Sequence, residues 1–314
     1  MNFKNKKILV AGTGLIGIPL IKQLVEQGAR VRATSMDNNP NIPPDIEFVR
    51  ADLTDYQNCL RVCSGIDYVF NLLGIKGPPG MAQKYPVDSF EQMLLFNALL
   101  LKAAWTENVG GYLYTSSVGV YKPEEILREE NVWKTQPSEN DWFPGQAKRI
   151  GEIHIEAYRQ QYGWNTSIVR PSNVYGPYDN FDSQNAMFMA YIIKQFANNQ
   201  NPIVISGDGS QVRDFIHSED AARGMILAAE KSAGPVNLCS GRETAIKEVV
   251  EILAKYTNYK GTIVYNASKP FGDKRRVLDT TKLRALGFEP RVNLEEGIMN
   301  TFEWYLKYRN QKSG

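Results

Sequence analysis

Short apolar runs and helical stretches alternate along the first half of the chain. Residues 6–12, KKILVAG, form an apolar run closed by glycine, which is typical of a buried parallel strand. Helical spacing of apolar residues follows from Leu15 to Gln27 and stops at Gly28. The same pattern predicts further strands within 29–34, 46–52, 67–74, 111–117 and 166–171, and helices over 86–107 and from about 145 to 162. Because strands and helices alternate, we predict an α/β fold with a Rossmann-type doubly wound parallel sheet.

After Pro171 the pattern becomes irregular. Residues 171–185, PSNVYGPYDNFDSQN, are rich in Gly, Pro and Asn, which favour loops. Shorter elements are predicted at 186–198, 202–206, 219–231, 245–256 and 294–309. We therefore expect residues 1–172 to form the larger domain and residues 173–314 a smaller α/β C-terminal lobe, with 209–232 returning to the larger domain.

The composition is that of an ordinary globular protein. Hydrophobic residues make up 43% and charged residues 22% of the 314 positions, and the formal net charge is +2. This balance gives no reason to expect a nucleic-acid partner or a membrane partner. The apolar stretch 93–105 is too short and too interrupted to cross a bilayer. The N-terminal apolar run is too short for a signal peptide, so we expect a cytoplasmic protein.

Cysteine and histidine are scarce in this sequence. Cys59, Cys63 and Cys239 do not form an even, patterned set of disulfide partners, which fits a reducing compartment. Cys59 and Cys63 are four residues apart, and with no histidine near them core filling is the favoured interpretation. His154 and His217 are the only histidines, so we expect no metal site.

A glycine-rich turn follows the first predicted strand. Gly12, Gly14 and Gly17 form the pattern Gly-x-Gly-x-x-Gly between that strand and the first predicted helix. Glycines permit a tight turn, let the backbone approach a pyrophosphate, and let the helix pack on the strand. The helix N-terminus then attracts the phosphates. The turn therefore predicts a dinucleotide site made of Gly12, Thr13, Gly14, Leu15, Ile16 and Gly17.

The residues expected around the adenosine half leave NAD and NADP both open. Ser35 stands at the end of the second strand, where an acidic residue would hold the 2′-hydroxyl of NAD. Asp37 lies two residues later, and no arginine follows Ser35 to meet the 2′-phosphate of NADP. Arg32 is nearby, but the sequence does not give its direction. Asp52, with Leu53 beside it, is either an acceptor for the adenine amino group or a turn or helix-cap residue.

Several motifs together are similar to those of a known family. They are the glycine turn, ADLTD (51–55), TSSVGVY (115–121), AKRIGE (147–152), RPSNVYGP (170–177), GDGSQVRDFIH (207–217), KRRVLD (274–279) and LEEGIMNTFEWY (294–305). As a set they resemble the extended short-chain dehydrogenases/reductases, the NAD(P)-dependent epimerase/dehydratase family, over nearly the whole chain. Within that family, GIKGPP (74–79) and YGPYDNFDSQNA (175–186) look most like the GDP-fucose synthases. The resemblance implies an enzyme that binds a nucleotide-diphosphate sugar between its lobes and moves hydride at a sugar carbon.

The resemblance also implies a catalytic set of Ser/Thr, Tyr and Lys, of which two members are present. Ser117 matches the serine, and Lys148 matches the lysine that binds the nicotinamide ribose and lowers the pKa of the tyrosine. Pro144 stands where the tyrosine belongs. Lys148 itself, or a water held by Ser117, could act as the base instead. Loss of general acid–base help typically costs about 10²–10⁴ in rate, so the enzyme would be slowed and need not be silent.

Other positions disfavour two of the family's reactions. The cysteine and histidine that serve 3,5-epimerisation match Gly119 and Met187, and the acidic pair that serves dehydration matches Val118 and Gly119. Simple oxidation or reduction, most expected at C4 of a hexose or heptose, therefore ranks first. Epimerisation at C4 through a transient ketone stays open, and so does a catalytically silent protein that binds NAD(P) and a nucleotide sugar.

The segment after the strand at 166–171 is expected beside the nicotinamide. The resemblance assigns Pro171, Asn173 and Val174 to the cofactor. Asn173 either donates to a sugar or phosphate oxygen as well or is only a turn residue.

Basic residues of the second lobe are expected at the substrate diphosphate. Arg213 and Arg276 look like the family's diphosphate clamps, a task that suits a planar guanidinium. Lys194 is a further candidate for substrate binding. Gln195 and Ser206 replace an arginine and a tryptophan that bind guanosine sugars in relatives, so the nucleotide is not assigned.

Two predicted helices carry the expectation of a homodimer. In the family that the motifs resemble, the helices matching 86–107 and 145–161 pair with those of a second subunit. Residues 93–105 are apolar over most of the helix circumference, which is consistent with burial on two sides.

Overall fold

Seven parallel strands form the sheet of the larger domain. The computed structural model describes residues 2–37, 41–75, 84–181, 186–232, 234–268 and 272–312. Numbered with all strands of the chain, the seven are β1 (Lys7–Ala11), β2 (Arg30–Ser35), β3 (Glu47–Arg50), β4 (Tyr68–Asn71), β5 (Gly111–Thr115), β6 (Thr166–Pro171) and β10 (Pro235–Leu238). Their order across the sheet is β10-β6-β5-β4-β1-β2-β3. The winding reverses between β1 and β4, and ligands of such sheets bind at this switch point.

Helices cover both faces of this sheet. One face carries α1 (Gly17–Glu26) and α6 (Ser218–Lys231), and the other carries α2 (Tyr56–Cys63), α3 (Pro86–Thr106) and α4 (Trp142–Tyr162). Strands β5 and β6 are buried along their whole length. A strand buried on both faces needs apolar residues at successive positions, which is why these strands appear as short continuous runs in the sequence.

The second lobe is built around the central strand β9. Its strands are β7 (Asn173–Tyr175), β8 (Ile203–Ser206), β9 (Val212–His217), β11 (Glu243–Ala245), β12 (Ile263–Asn266) and β13 (Arg275–Arg276). β9 pairs with β7, β11 and β13, while β8 pairs with β12. Its helices are α5 (Phe188–Ala197), α7 (Ile246–Tyr256) and α9 (Leu294–Lys312), which share one apolar core, and α8 (Thr281–Ala285), which packs on the core of the larger domain.

The predicted fold class is confirmed, and the start of one helix differs from the sequence prediction. Helix α4 begins at Trp142 and not near Gly145, so Pro144 lies in its first turn. Proline is tolerated there because the first N–H groups of a helix have no intrahelical acceptor. Parts of the segments 74–79 and 175–186, which carry the likeness to GDP-fucose synthases, lie outside the described residues.

The sheet topology also divides the chain differently from the predicted domain limits. β9 pairs with strands of the second lobe although 209–232 was expected in the larger domain. Within that stretch, α6 and Ile216 of β9 pack on the core of the larger domain. β10 pairs with β6 in the large sheet although it follows residue 232. A strand of four residues is too short to show a period of its own, so the sequence does not assign it to a sheet. No helix among the described residues is long and apolar enough to cross a membrane.

Candidate active site

The glycine turn between β1 and α1 has the shape that a pyrophosphate needs. Gly12 has φ +105°, and a Cβ on Gly17 would lie only 2.0 Å from the Gly12 carbonyl oxygen, so α1 packs directly on the turn. A Cβ on Gly14 would meet nothing within 4 Å, which leaves open space above that residue. No side chain caps the N-terminus of α1. The turn therefore fits the phosphates of a dinucleotide, which the backbone N–H groups would bind.

Three other predicted residues of this turn have buried side chains. The side chains of Leu15 and Ile16 are buried in the core under α1, and Thr13 is buried as well. Their contribution to a bound cofactor is therefore through the backbone.

Ser35 and its neighbours define the place expected for the adenosine ribose. Ser35 is half-buried, and its Oγ accepts a hydrogen bond from the Asp37 backbone N–H at 3.4 Å. Arg32 is buried and directed elsewhere, with its Nε 2.7 Å from Glu47 and its Nη1 2.8 Å from the Val62 carbonyl. It is therefore not available for a 2′-phosphate.

Arg50 is a further candidate for binding a 2′-phosphate, and it was not identified from the sequence. It is the register partner of Ser35 across β2 and β3, and its Nε donates to the Met36 carbonyl at 2.7 Å. The two residues are fifteen positions apart in the sequence, so only the parallel register of two strands brings them together.

Asp52 keeps an exposed carboxylate just beyond β3. Its Oδ1 accepts from the backbone N–H of Thr54 at 2.9 Å and from the Thr54 hydroxyl at 2.7 Å, and these hydrogen bonds lower the pKa of Asp52. Asp55, and not Asp52, caps helix α2. Leu53 is buried in the core beneath. The structure therefore excludes Asp52 as the cap of α2. Its roles as an acceptor for the adenine amino group or as a turn residue both stay open.

Lys148 reaches the ends of the two central strands from helix α4. Its Nζ donates to the Leu73 carbonyl at 2.8 Å, just beyond β4, and to the Thr115 carbonyl at 2.7 Å, at the end of β5. It also lies 5.1 Å from the centre of the Tyr114 ring. Because ammonium is a donor only, two carbonyl acceptors hold it firmly at the switch point of the sheet. Ligands of such sheets bind beyond the carboxyl ends of the strands, where this ammonium lies.

A buried network holds α4 against the sheet. Glu152 accepts from Arg170 in two hydrogen bonds, of 2.9 and 2.6 Å, and from the Ser116 hydroxyl at 2.5 Å. Arg149 donates to the Val120 carbonyl at 2.9 Å and to the Thr135 carbonyl. The position of this helix relative to β5 therefore does not depend on Lys148 alone.

Ser117 follows β5 and faces the same edge of the sheet. Its Oγ accepts from the Gly119 backbone N–H at 3.0 Å, at the start of a short 3₁₀ turn over Val118–Val120. Pro144 lies one helical turn before Lys148 on α4, so positions 144 and 148 share a helix face. The structure thus places Pro144 and Lys148 on one face of α4, and Lys148 donates to Thr115, two residues before Ser117.

Arg213 and Arg276 lie side by side in the second lobe. They are register partners on β9 and β13. Arg213 donates to the Val212 carbonyl at 2.8 Å, and its burial and the adjacent charge of Arg276 lower its pKa to about 10. Arg276 donates to Asp273 at 2.8 Å through Nε, and also to Asp141. A pair of guanidinium groups in this arrangement can bind a diphosphate.

The remaining predicted residues are engaged with the protein itself. Asn173 donates to the Asp214 carbonyl at 3.0 Å, and Lys194 donates to the Phe181 carbonyl at 2.9 Å. Pro171 is buried at the end of β6, and Val174 packs against the core of the larger domain. Pro171, Asn173 and Val174 follow β6 at the edge where Lys148 lies, whereas Lys194 belongs to α5 of the second lobe.

Comparison with known proteins decides the family. Residues 8–239 match the model of the NAD dependent epimerase/dehydratase family. The chain belongs to this family. It is 30% identical to the GDP-L-fucose synthase of Escherichia coli K12, over 98% of this chain and 99% of that protein.

Two solved epimerase structures are similar to this chain over most of its length. The UDP-glucose 4-epimerase of Thermotoga maritima, solved with UDP-glucose, has a TM-score of 0.87 and 26% identity and covers 96% of this chain and 99% of its own. The UDP-glucose 4-epimerase of Thermus thermophilus, solved with NAD, has a TM-score of 0.81 and 26% identity and covers 95% and 98%. As in its family, the cofactor of this protein is NAD(P), and the glycine turn fits it.

Proposed function

We propose that this protein is an NAD(P)-dependent oxidoreductase that moves hydride between the cofactor and C4 of a nucleotide-diphosphate hexose or heptose. The observation that carries this proposal is the position of Lys148, whose ammonium is held by the carbonyls of Leu73 and Thr115 at the carboxyl ends of β4 and β5, while Ser117 follows Thr115 by two residues. The cofactor supplies the hydride chemistry, so the protein has mainly to bind and orient its two ligands.

The cofactor is assigned to the larger domain. The glycine turn Gly12–Gly17 binds the pyrophosphate, Ser35 and Asp52 lie toward the adenosine, and Lys148 binds the nicotinamide ribose. Pro171, Asn173 and Val174 pass beside the nicotinamide. The Thermus thermophilus relative was solved with NAD, which supports a dinucleotide as the cofactor.

The substrate is assigned to the cleft between the lobes. Arg213 and Arg276 bind its diphosphate, and Ser117 and Asn173 hold the sugar, with Lys194 farther along the second lobe. Oxidation or reduction ranks above 3,5-epimerisation and dehydration because Gly119 has no side chain and Met187 does not titrate. Reversible oxidation at C4 would also serve a 4-epimerase, which is the activity named for the Thermotoga maritima relative.

Hydride exchange with a panel of nucleotide sugars tests the proposal. The purified protein is mixed with NAD, NADP or their reduced forms and with UDP-, GDP-, dTDP- and CDP-hexoses, and the absorbance of reduced nicotinamide is followed. We expect one sugar class to change the absorbance and products altered at C4. Binding of both ligands with no hydride transfer and no epimerised product would instead support the silent binding protein, which Pro144 favours.

We further propose that the protein is a homodimer in the cytoplasm. Helices α3 and α4 pack side by side through Phe90 and Phe143, yet Leu95, Ile150 and Ile153 on them are exposed. A partner subunit would cover these apolar side chains. The double variant Ile150→Glu/Ile153→Glu should be monomeric by light scattering, and a wild-type monomer would refute the dimer. All three cysteines are free thiols, which fits the reducing cytoplasm.

A further inference from the structure

The carboxylate of Asp141 and the hydroxyl of Ser117 both lie close to Gly119. A Cβ placed on Gly119 would lie 3.4 Å from the Ser117 Oγ and also 3.4 Å from the Asp141 Cγ. The hydroxyl of Ser117 and the carboxyl group of Asp141 therefore border the same small volume. A sugar carbinol that reaches Ser117 is also within reach of Asp141.

Asp141 stands at the start of helix α4, but its side chain does not cap the helix. It is the N-cap residue of α4, a position where an aspartate usually accepts from the first N–H groups of the helix. Its side chain makes no such cap hydrogen bond. It pairs instead with Arg276 of the second lobe, so the carboxylate is directed into the cleft.

Arg276 joins Asp141 to the predicted diphosphate site. Its other partner, Asp273, is 7% exposed and also accepts from the Ser138 hydroxyl at 2.6 Å and the Asn140 amide at 2.8 Å. Asp141 is 28% exposed, so it is the more accessible of the two carboxylates on Arg276. Arg213 adds a second positive charge to the same cluster. A diphosphate that binds both arginines must therefore compete with Asp141 for Arg276.

We propose that Asp141 is the proton-transferring carboxylate of this site and that a sugar diphosphate releases it from Arg276. The inference rests on the proposed function. When phosphate oxygens replace Asp141 on Arg276, the carboxylate loses its positive partner and gains negative neighbours, with Asp273 still close. The released carboxylate is then free to accept a proton from the sugar hydroxyl and to return it.

The step balances in both directions. In oxidation the carbinol carbon gives its hydride to the oxidised nicotinamide, its hydroxyl gives the proton to the Asp141 carboxylate directly or through the Ser117 hydroxyl, and the carbon–oxygen bond becomes double. In reduction the protonated Asp141 returns that proton to the oxygen as the carbon accepts hydride. Asp141 thus does what the missing tyrosine would do at position 144.

Binding of nucleoside diphosphates tests the exchange without any turnover. UDP and GDP are titrated into wild type, Asp141→Asn and the control Glu139→Gln by calorimetry, in two buffers of different ionisation enthalpy. Glu139 lies in the same turn, so the control removes an equal charge. We expect Asp141→Asn to bind the diphosphate roughly 3- to 10-fold more tightly, since its competitor is gone. Wild type and the control should also take up more protons on binding than Asp141→Asn does.

Unchanged or weaker binding by Asp141→Asn, or equal proton uptake in all three proteins, would overturn the proposal. Asp141→Ser, which keeps a capping side chain, replaces Asp141→Asn if that variant does not fold.

The pH dependence of hydride transfer tests the chemical role. We expect Asp141→Asn to lose about 10²–10⁴ in kcat and to lose the limb of the pH profile that reports the carboxylate, while Asp141→Glu keeps that limb. A kcat within twofold of wild type with an unchanged profile contradicts the role. If wild type reacts with no sugar, the proposed function fails, and the calorimetric experiment still decides whether Asp141 leaves Arg276 and binds a proton.

Discussion

Arg213 and Arg276 occupy paired positions on neighbouring parallel strands, with their guanidinium groups in one cluster. Arg276 has two carboxylates as partners, Asp141 and Asp273. Arg213 has a carbonyl acceptor, and burial and Arg276 lower its pKa to about 10. An anion in the cleft would compensate the charge of Arg213, which makes this residue the stronger of the two diphosphate candidates.

Replacement of Arg213 should therefore weaken binding of the nucleotide. A hydrogen bond to a charged group contributes about 1.5–3 kcal/mol, so Arg213→Met should raise the Kd of the nucleoside diphosphate roughly 10- to 100-fold. Arg275→Met is the matched control, because Arg275 directly precedes Arg276 but binds Glu243 and Glu125 at the surface. Equal losses in both variants, measured by calorimetry, would mean that only net charge matters.

Replacement of Lys148 should affect both stability and chemistry. Lys148→Met removes the donor to the carbonyls of Leu73 and Thr115, so the free energy of unfolding should fall by about 1–3 kcal/mol. Turnover should disappear and NAD(P) should bind more weakly, because the ribose loses its partner. Urea unfolding and cofactor titration measure the two effects, with the exposed Lys122→Met as control. Full turnover in the folded Lys148→Met variant would remove Lys148 from the mechanism.

The fold and the cofactor turn could be predicted because both follow from patterns within short stretches of the sequence. The spacing of Gly12, Gly14 and Gly17 between a strand and a helix is enough to predict the shape of the turn. The run KILVA is mostly apolar because β1 is buried on both faces, so this strand can be recognised from the sequence. The family resemblance added Ser117 and Lys148, and in the structure Lys148 donates to Thr115, two residues before Ser117.

Asp141 and Arg50 could not be found in this way. Asp141 lies near Ser117 only because the loop before α4 packs on the 3₁₀ turn at Gly119, and Arg50 lies near Ser35 only because β2 and β3 share one register. Such contacts depend on tertiary packing between segments whose own sequences carry no sign of it. From the sequence, only the replacement of the family's tyrosine by Pro144 was identified. The carboxylate that we propose as the substitute, Asp141, lies three residues earlier.

The residue at position 35 should control the choice between NAD and NADP. Ser35→Asp introduces a carboxylate that accepts from a ribose 2′-hydroxyl and repels a 2′-phosphate. We expect the Kd for NADP to rise at least about tenfold and the Kd for NAD to fall or stay the same. Ser35→Asn is the uncharged control. An unchanged ratio of the two Kd values would place the ribose elsewhere.

Arg50→Met belongs to the same experiment. If Arg50 faces the 2′-phosphate, this variant weakens NADP binding and leaves NAD binding unchanged, while Arg30→Met at the opposite end of β2 changes neither. Equal effects of Arg50→Met on both cofactors would mean that Arg50 only supports the contact between β2 and β3.

Breaking the buried Arg170–Glu152 pair should destabilise the larger domain. Both side chains are almost fully buried, and Arg170→Met leaves the Glu152 carboxylate without its main partner. Removal of one member of a buried ion pair typically costs about 3–5 kcal/mol. Urea unfolding should show this loss, whereas Arg159→Met, which breaks the more exposed pair with Glu156, should cost under about 1 kcal/mol. If the free energy of unfolding fell by similar amounts in the two variants, burial would not explain the contribution of the Arg170–Glu152 pair.

Restoring a tyrosine at position 144 should bypass the need for Asp141. Position 144 is in the first turn of α4 and on the face of Lys148, so Pro144→Tyr costs no helical hydrogen bond and places a phenol toward the ammonium. In the Asp141→Asn background we expect Pro144→Tyr to raise kcat by about 10²-fold. The pH optimum should move to the alkaline side, since a phenol has an ordinary pKa of about 10. Pro144→Phe in the same background supplies the ring without the hydroxyl and should leave kcat low. If the Tyr and Phe variants are equally slow, position 144 does not face the reacting oxygen; if they are equally fast, the ring and not its proton is responsible.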